Sequence, residues 1–254
     1  MRTFLIAAEG VSDVKVLATI IEKIASAYNI SCICRSIFPE PDATSGSIGK
    51  GGWSRLKKWA EKYNSNRHNV FSDKDKEIWA RSGMIITPVS TPPITWKSIT
   101  APEDSLLVFH LDGDAVMEIS ATHPNCGSYH NGMSIVEYCR AVLQEWTGLS
   151  PDDAIWAIPV QCLESWFLAL HSLEVCREAE PIFSDYENLD TKVLYSTLVK
   201  LGYEAFSSEQ GNQTVDKCDL SENHAEHVAC EWDTICSRCP SALEFTHSVK
   251  SAIA

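Results

Sequence analysis

Five short apolar runs occur in the first 170 residues of the chain and have the length and composition of buried strands. They cover residues 4–8, 30–37, 84–89, 106–111 and 154–160. The segments between them repeat apolar residues at the three- and four-residue spacing of a helix face. This alternation of strands with helices predicts an α/β fold, in which a mostly parallel sheet is flanked by helices.

Three amphipathic segments give the clearest helix signals. Ser12 is the expected N-cap of the first helix, and the second begins at Trp53. The third helix follows Asn131-Gly132 and ends at Gly148. The turn-rich stretches at residues 39–52 and 90–104 predict long connections, and after residue 164 the pattern is predominantly helical with no obvious strand. We therefore predict an α/β domain over residues 1–170 and a helical C-terminal extension, residues 171–254, packed on it.

Carboxylates follow three of the predicted strands. Glu9 ends the first run, Asp112 and Asp114 end the run at 106–111, and Glu164 comes soon after the run at 154–160. Ligands collect at the carboxyl ends of parallel strands, and an ionised carboxylate removed from water requires a partner or a metal. Oxygen ligands favour Mg²⁺ or Mn²⁺, so the sequence predicts a site for one of these ions. Because like charges repel, we also expect Asp112→Asn to stabilise the metal-free protein.

Charge is distributed unevenly along the chain. The net charge of −13 argues against indiscriminate nucleic-acid binding, which needs an excess of Lys and Arg. Residues 1–100 nevertheless carry 14 Lys and Arg against 9 Asp and Glu, whereas residues 101–254 carry 7 against 25. A basic face, including Arg55, Lys57, Lys58 and Lys62 on the second helix, is one interpretation. The other is that the acidic half is an ordinary solvated surface.

The apolar runs are far shorter than the roughly 20 residues that cross a bilayer, so we expect a soluble cytoplasmic protein without a membrane partner. Its 10 cysteines are scattered through the predicted elements and are interpreted mainly as small buried residues in a reducing compartment. One C-terminal set leaves two interpretations open, structural zinc or helix packing. Its members are His224, His227, Cys230, Cys236 and Cys239.

Three motifs in order resemble the Toprim domain. They are Glu9-Gly10, Asp112-Gly113-Asp114 and Glu164-Ser165-Trp166-Phe167-Leu168-Ala169. More narrowly, they resemble the stand-alone Toprim-like proteins of bacterial anti-phage loci, which are related to the nuclease half of overcoming-lysogenization-defect proteins. The resemblance spans roughly residues 1–170. It implies a Toprim-like fold in which Glu9 is a general acid/base or metal ligand, while Asp112 and Asp114 hold the divalent metal.

Two further segments are similar to parts of that group. Lys217 matches a C-terminal lysine of the site, with a surface lysine as the alternative. Lys50, within Gly49-Lys50-Gly51-Gly52, resembles a glycine-rich segment whose N–H groups cradle phosphate, with a flexible loop as the alternative. The group also implies a partner ATPase encoded at the same locus. His110, inside the central strand, is interpreted as a core histidine close to the site.

Two functions follow from these observations. The first is a metal-dependent phosphodiesterase, a nuclease acting on DNA or tRNA in anti-phage defence. Its catalytic residues would be Glu9, Asp112, Asp114, Glu164 and Lys217, and Lys50, Arg55, Lys57 and Lys58 would contact the nucleic acid. The alternative is a catalytically dormant Toprim-like interaction or sensor subunit of a defence complex, which the acidic net charge favours.

Overall fold

A computed structural model of the chain describes residues 1–40, 51–64, 95–100, 105–122, 127–130, 132–207 and 213–254. The strands within these residues are β1 (Arg2–Ala7), β2 (Cys32–Phe38), β3 (Leu106–His110), β4 (Ile155–Ala157), β5 (Ala205–Ser207) and β6 (Gln213–Val215). The α-helices are α1 (Val11–Ala27), α2 (Trp53–Glu61), α3 (Trp96–Thr100), α4 (Val116–Thr122), α5 (Ile135–Thr147), α6 (Glu164–Leu168), α7 (Leu173–Ala179), α8 (Thr191–Lys200), α9 (Lys217–Asp219), α10 (Ala225–Cys230), α11 (Trp232–Arg238) and α12 (Pro240–Ile253).

The central sheet has four parallel strands in the order β2-β1-β3-β4. The register sets Phe4 of β1 beside Leu106 of β3, and Val108 of β3 beside Ile155 of β4. The predicted α/β fold with a parallel sheet flanked by helices is therefore confirmed. The strand predicted at residues 84–89 lies outside the described residues.

Apolar side chains leave the sheet on both faces, because successive residues of a strand point to opposite sides. Phe4 and Ile6 of β1 belong to the core under α1, whereas Leu5 and Ala7 belong to the core under α2 and α5. Burial on both faces explains why the strands read as continuous apolar runs. It also fixes the position of α1, whose first turn lies close to the carboxyl ends of β1 and β3.

The C-terminal helices share the core under α1. Helices α10 and α12 pack against α1, and α12 also packs against β4. Ile253 near the chain end belongs to the same buried cluster as Phe4. The boundary at residue 170 stays a prediction. No described helix is both long and apolar enough to cross a membrane, and the cysteines of the described residues are free thiols.

Several predicted element boundaries need correction. Helix α1 begins at Val11 with Gly10 as its N-cap, and the Gly10 N–H donates to Asp13 Oδ2 at 2.7 Å, so the Ser12 cap was wrong. A 3₁₀ turn at Gly113–Ala115 and helix α4 follow β3, where the sequence predicted no helix, and α3 lies inside the predicted connection at 90–104. Strands β5 and β6 pair antiparallel where no strand was expected. The predicted helices at α2 and α5 are confirmed, with Gly148 left-handed (φ 70°) after α5.

Candidate metal centre

Glu9 and Asp112 lie just beyond the carboxyl ends of two adjacent strands. Strands β1 and β3 pair directly, and each carboxylate follows its strand by two residues. The main-chain N–H of Asp112 donates to Glu9 Oε1 at 2.9 Å. The structure therefore brings together the first two of the predicted ligands, through a direct contact between their loops.

Asp114 follows on a turn that packs tightly against the loop after β4. Gly113 N donates to Pro159 O at 3.2 Å, and Asp114 N donates to Gln161 O at 2.8 Å. A Cβ on Gly113 would lie 2.1 Å from the carbonyl oxygen of Val160, so a side chain at this position is excluded by sterics. The turn leaves Asp114 exposed at the mouth of the site, beside buried Asp112.

Two helices, α6 and α9, bring Glu164 and Lys217 to the site. Glu164 is the first residue of α6 and is 2% exposed, and Lys217 begins α9. Lys217 Nζ lies 3.0 Å from Glu164 Oε1 and 3.9 Å from Asp112 Oδ2. The lysine predicted from a resemblance thus contacts two of the predicted carboxylates.

Asp13 and His110 complete the cluster, although neither was predicted as part of it. Asp13 is buried in the first turn of α1, and His110, the last residue of β3, is completely buried. His110 Nδ1 lies 3.9 Å from Asp13 Oδ2, and its Nε2 lies 3.2 Å from Asp112 Oδ1. The sequence did place His110 near the site, but as a core residue rather than a partner of two carboxylates.

Three of the carboxylates share one arrangement, in which a main-chain N–H anchors a single oxygen. Asp112 N anchors Glu9 Oε1, Gly10 N anchors Asp13 Oδ2, and Leu163 N anchors Asp112 Oδ1 at 3.0 Å. Within the described part of the chain, the second oxygen of each group accepts no hydrogen bond. These second oxygens are Glu9 Oε2, Asp13 Oδ1 and Asp112 Oδ2, of which the last lies 3.9 Å from Lys217 Nζ. A carboxylate fixed through one oxygen with the other available suits monodentate binding of a hard cation.

Burial and mutual repulsion raise the pKa values of some of these acids, whereas attraction to neighbouring cations lowers the pKa of another. Burial, together with the charge of Asp112, raises the pKa of Glu9 to about 8. Burial likewise raises the pKa of Asp13. Burial also acts to raise the pKa of Asp112, but the charge and contact of His110 and the charge of Lys217 outweigh it and lower that pKa. One carboxylate is thus fully compensated while its neighbours resist ionisation.

The neighbouring carboxylates raise the pKa values of the two cations of the cluster, His110 and Lys217. Burial would lower the pKa of His110, but attraction to Asp112 and Asp13 raises it to about 9. Burial would likewise lower the pKa of Lys217, and attraction to Glu164 and Asp112 raises it instead. With every group ionised, five acids face two cations. The residual negative charge and the oxygen-only donor set of the acids fit a divalent ion such as Mg²⁺ or Mn²⁺.

The described residues contain no group of three His, Cys, Asp or Glu side chains arranged as ligands of one ion. In the carboxylate cluster the positive charge comes instead from Lys217 and His110. In the C-terminal His/Cys set, Cys239 is buried and His224 and Cys236 contact neighbouring side chains, whereas His227 and Cys230 are exposed, so packing accounts for part of the set only. The rings of His224 and Tyr203 lie 4.9 Å apart, and Cys236 Sγ lies 3.3 Å from Thr246 Oγ1.

Helix α2 starts against the backbone of Glu9. Gly52 N donates to the carbonyl oxygen of Glu9 at 2.7 Å, and a Cβ on Gly51 would fall 1.6 Å from that oxygen. Among the predicted nucleic-acid contacts on this helix, Arg55 and Lys58 are exposed. Lys57 is partly buried and pairs with Glu61 at 3.7 Å, and Lys50 lies outside the described residues.

The chain was compared with family models, with curated proteins and with solved structures. None of the three comparisons finds a match. The Toprim-like resemblance therefore stays a prediction from the sequence, and the geometry of the carboxylate cluster carries the functional argument.

Proposed function

We propose that this chain is a metal-dependent phosphodiesterase, a Toprim-like nuclease that acts on DNA or tRNA in anti-phage defence. One observation carries the proposal. Five acids and a lysine meet at the carboxyl edge of a parallel sheet, where such folds bind their ligands, and they come from the segments after β1 and β3 and from α1, α6 and α9. A purely structural role does not account for so many buried charges, because burying them opposes folding.

Glu9, Asp112 and Asp114 would hold Mg²⁺ or Mn²⁺, with Asp13 beside them. When bound, the ion supplies an activated water and stabilises negative charge on the phosphate. Glu9 would be either a metal ligand or the group that exchanges a proton. In the metal-free protein its pKa is about 8, so an ion that binds to Glu9 near neutral pH would displace a proton from it. Lys217, fixed by Glu164 at 3.0 Å, presents its ammonium to the developing charge of the phosphodiester.

The basic residues near α2 give the proposed nucleic-acid contacts. Helix α2 begins against Glu9, so substrate bound along Arg55, Lys57 and Lys58 would run close to the carboxylates. Such contacts go to the phosphate backbone and position the substrate without reading its bases. Lys50 lies outside the described residues and is proposed as a contact from the sequence alone. A partner ATPase from the same locus is part of the proposal.

A second candidate is the dormant interaction or sensor subunit. The observation that favours it is the internal charge compensation of Asp112. Lys217 and His110 both contact this residue, so its charge is balanced without a metal. A site of this kind can persist as a structural remnant while the acidic surface binds a partner.

Cleavage assays separate the two candidates. We would incubate the purified chain, alone and with the partner ATPase, with mixed DNA and tRNA in Mg²⁺, Mn²⁺ or EDTA. The nuclease proposal expects metal-dependent cleavage that Glu9→Gln and Asp112→Asn lower at least a hundredfold. Glu22→Gln, at an exposed glutamate of α1, is the matched control and keeps full activity. Cleavage that survives in both site variants refutes the proposal.

Charge reversal tests the nucleic-acid surface separately. Arg55→Glu and Lys58→Glu should weaken substrate binding and reduce its salt dependence, because each removes a phosphate contact. Binding and a salt slope equal to those of the wild type would assign these residues to ordinary solvated surface. Absence of cleavage by the wild type under every condition, together with retained folding, would favour the dormant subunit.

A further inference from the structure

His110 is the most deeply buried polar residue of the site, and the proposed chemistry assigns it no task. It is completely buried at the end of β3, on the face of the sheet that α1 covers. Buried polar groups are costly unless they are paired, so an imidazole here needs an explanation. Its two ring nitrogens face carboxylates from different elements, Asp13 of α1 and Asp112 after β3.

The two oxygens of Asp112 have different surroundings. Oδ1 accepts from Leu163 N at 3.0 Å and lies 3.2 Å from His110 Nε2, whereas Oδ2 lies 3.9 Å from Lys217 Nζ. The terminal torsion of an aspartate is broad, so one hydrogen bond leaves the carboxylate able to swing. The main-chain hydrogen bond and the close ion pair with His110 both act on Oδ1 and restrict that rotation, which leaves Oδ2 on the side of Lys217.

The contact with Asp13 is looser. His110 Nδ1 is 3.9 Å from Asp13 Oδ2, and that oxygen already accepts from Gly10 N at 2.7 Å. At 3.9 Å, His110 Nδ1 is beyond hydrogen-bond distance of Asp13, so it adds little to the orientation that the main chain gives this carboxylate. The nitrogen that matters for orientation is Nε2, the one nearer to Asp112.

We infer that His110 is a positioning residue, which acts through Asp112 by fixing Oδ1 so that Oδ2 is the oxygen offered to the divalent ion. This inference rests on the proposed metal site and deepens it. It names which atom of Asp112 is the ligand and which residue selects it. It also separates Asp112 from Asp13, whose orientation does not depend on His110.

A pair of amide substitutions tests the assignment. Gln places its side-chain N–H₂ near the position of Nε2, and Asn places it near Nδ1. His110→Gln thus retains a donor toward Asp112, and His110→Asn retains one toward Asp13. Both variants are neutral and polar, so they differ mainly in which carboxylate receives the donor.

Mn²⁺ binding to the full-length protein, followed by electron paramagnetic resonance without substrate, is the main readout. We expect His110→Gln to bind Mn²⁺ within threefold of the wild type, and His110→Asn to bind it at least tenfold more weakly. Phe109→Leu is the control for core packing, because Phe109 is buried on the opposite face of the same strand. It should lower the melting temperature but leave the Mn²⁺ affinity unchanged.

The outcomes are distinguishable. If the wild-type protein binds no Mn²⁺, both the proposed metal site and the proposed function are refuted. Wild-type binding with equal affinity in His110→Gln and His110→Asn overturns the positioning role and leaves the metal site standing. If His110→Asn does not fold, His110→Gln alone tests the assignment. A tenfold loss of Mn²⁺ affinity in folded His110→Gln would also overturn it.

Discussion

Neutralising Glu9 should stabilise the metal-free protein, because its charge opposes folding. Burial and the neighbouring Asp112 raise the pKa of Glu9 from 4.5 to about 8. A raised pKa means that the native state binds the proton more tightly than the unfolded chain. The stability that this proton confers is full below pH 4.5 and is lost as the pH rises to about 8. Gln at this position keeps an oxygen to accept the N–H of Asp112 and carries no charge at any pH.

The pKa difference sets the size of the effect. Linkage between pKa values of 4.5 and about 8 gives an upper limit of about 3 kcal/mol at pH 7. Glu9 is only partly shielded from solvent, so we expect Glu9→Gln to raise the free energy of unfolding by about 1–3 kcal/mol. For a chain of this length that corresponds to about 2–10 °C in melting temperature.

The assay is thermal and urea unfolding in EDTA from pH 4 to pH 8. The gap between Glu9→Gln and wild type should be widest at pH 8 and should close near pH 4, where wild-type Glu9 is protonated in both states. Glu22→Gln, on the exposed side of α1, should match the wild type throughout. The reasoning is refuted if Glu9→Gln is no more stable than wild type at pH 7, or if the gap does not change with pH.

Three further substitutions have distinct expected effects. Asp112→Asn should lower the stability of the metal-free protein by about 3 kcal/mol in urea unfolding, since buried His110 loses the nearer of its two carboxylate partners. Equal or higher stability would contradict the ion pair. Gly113→Ala should lower the free energy of unfolding by about 2 kcal/mol in the same assay, because its Cβ would overlap the Val160 carbonyl at 2.1 Å. An unchanged urea midpoint would show that the turn shifts to accommodate the Cβ. Lys217→Gln should lower stability by only about 1 kcal/mol, since 41% of its side chain is exposed, but should reduce metal-dependent cleavage more than tenfold. Cleavage equal to wild type in Lys217→Gln would exclude its catalytic role.

The expected effect of Asp112→Asn has the opposite sign to the expectation from sequence alone. The sequence shows two carboxylates close together and implies repulsion. The structure adds His110 and Lys217, which turn Asp112 into the compensated member of the cluster and lower its pKa. Glu9 is the member on which repulsion and burial act. The sequence shows which charged residues are present near a site, but it does not show which cation contacts which carboxylate in the folded protein.

The strand-end carboxylates were predictable because two independent signals coincide there. An apolar run precedes Glu9 and Asp112, and parallel strands bring their carboxyl ends to one edge. Asp13 was missed because acidic residues are common in the first turn of any helix. His110 was missed as a contact because a histidine within an apolar strand is indistinguishable from a core residue until its neighbours are known.

Short elements account for most of the wrong boundaries. Strands β5 and β6 have three residues each, too few for an alternating pattern to be recognised. The strand predicted at 154–160 is only Ile155–Ala157, because Pro159 supplies no N–H to continue the ladder. Helices α1, α2 and α5 are longer, and their apolar spacing was sufficient to identify them.

Peptide groups, rather than side chains, supply the N–H that anchors an oxygen of Glu9, Asp13 and Asp112. Every amino acid except proline carries such a group. A substitution of Leu163 that is not proline therefore leaves the anchoring donor in place, whereas proline at Gly10 or Leu163 deletes it. Anchoring by itself excludes only proline at these two positions, while Gly51 and Gly113 are restricted by the space for a Cβ.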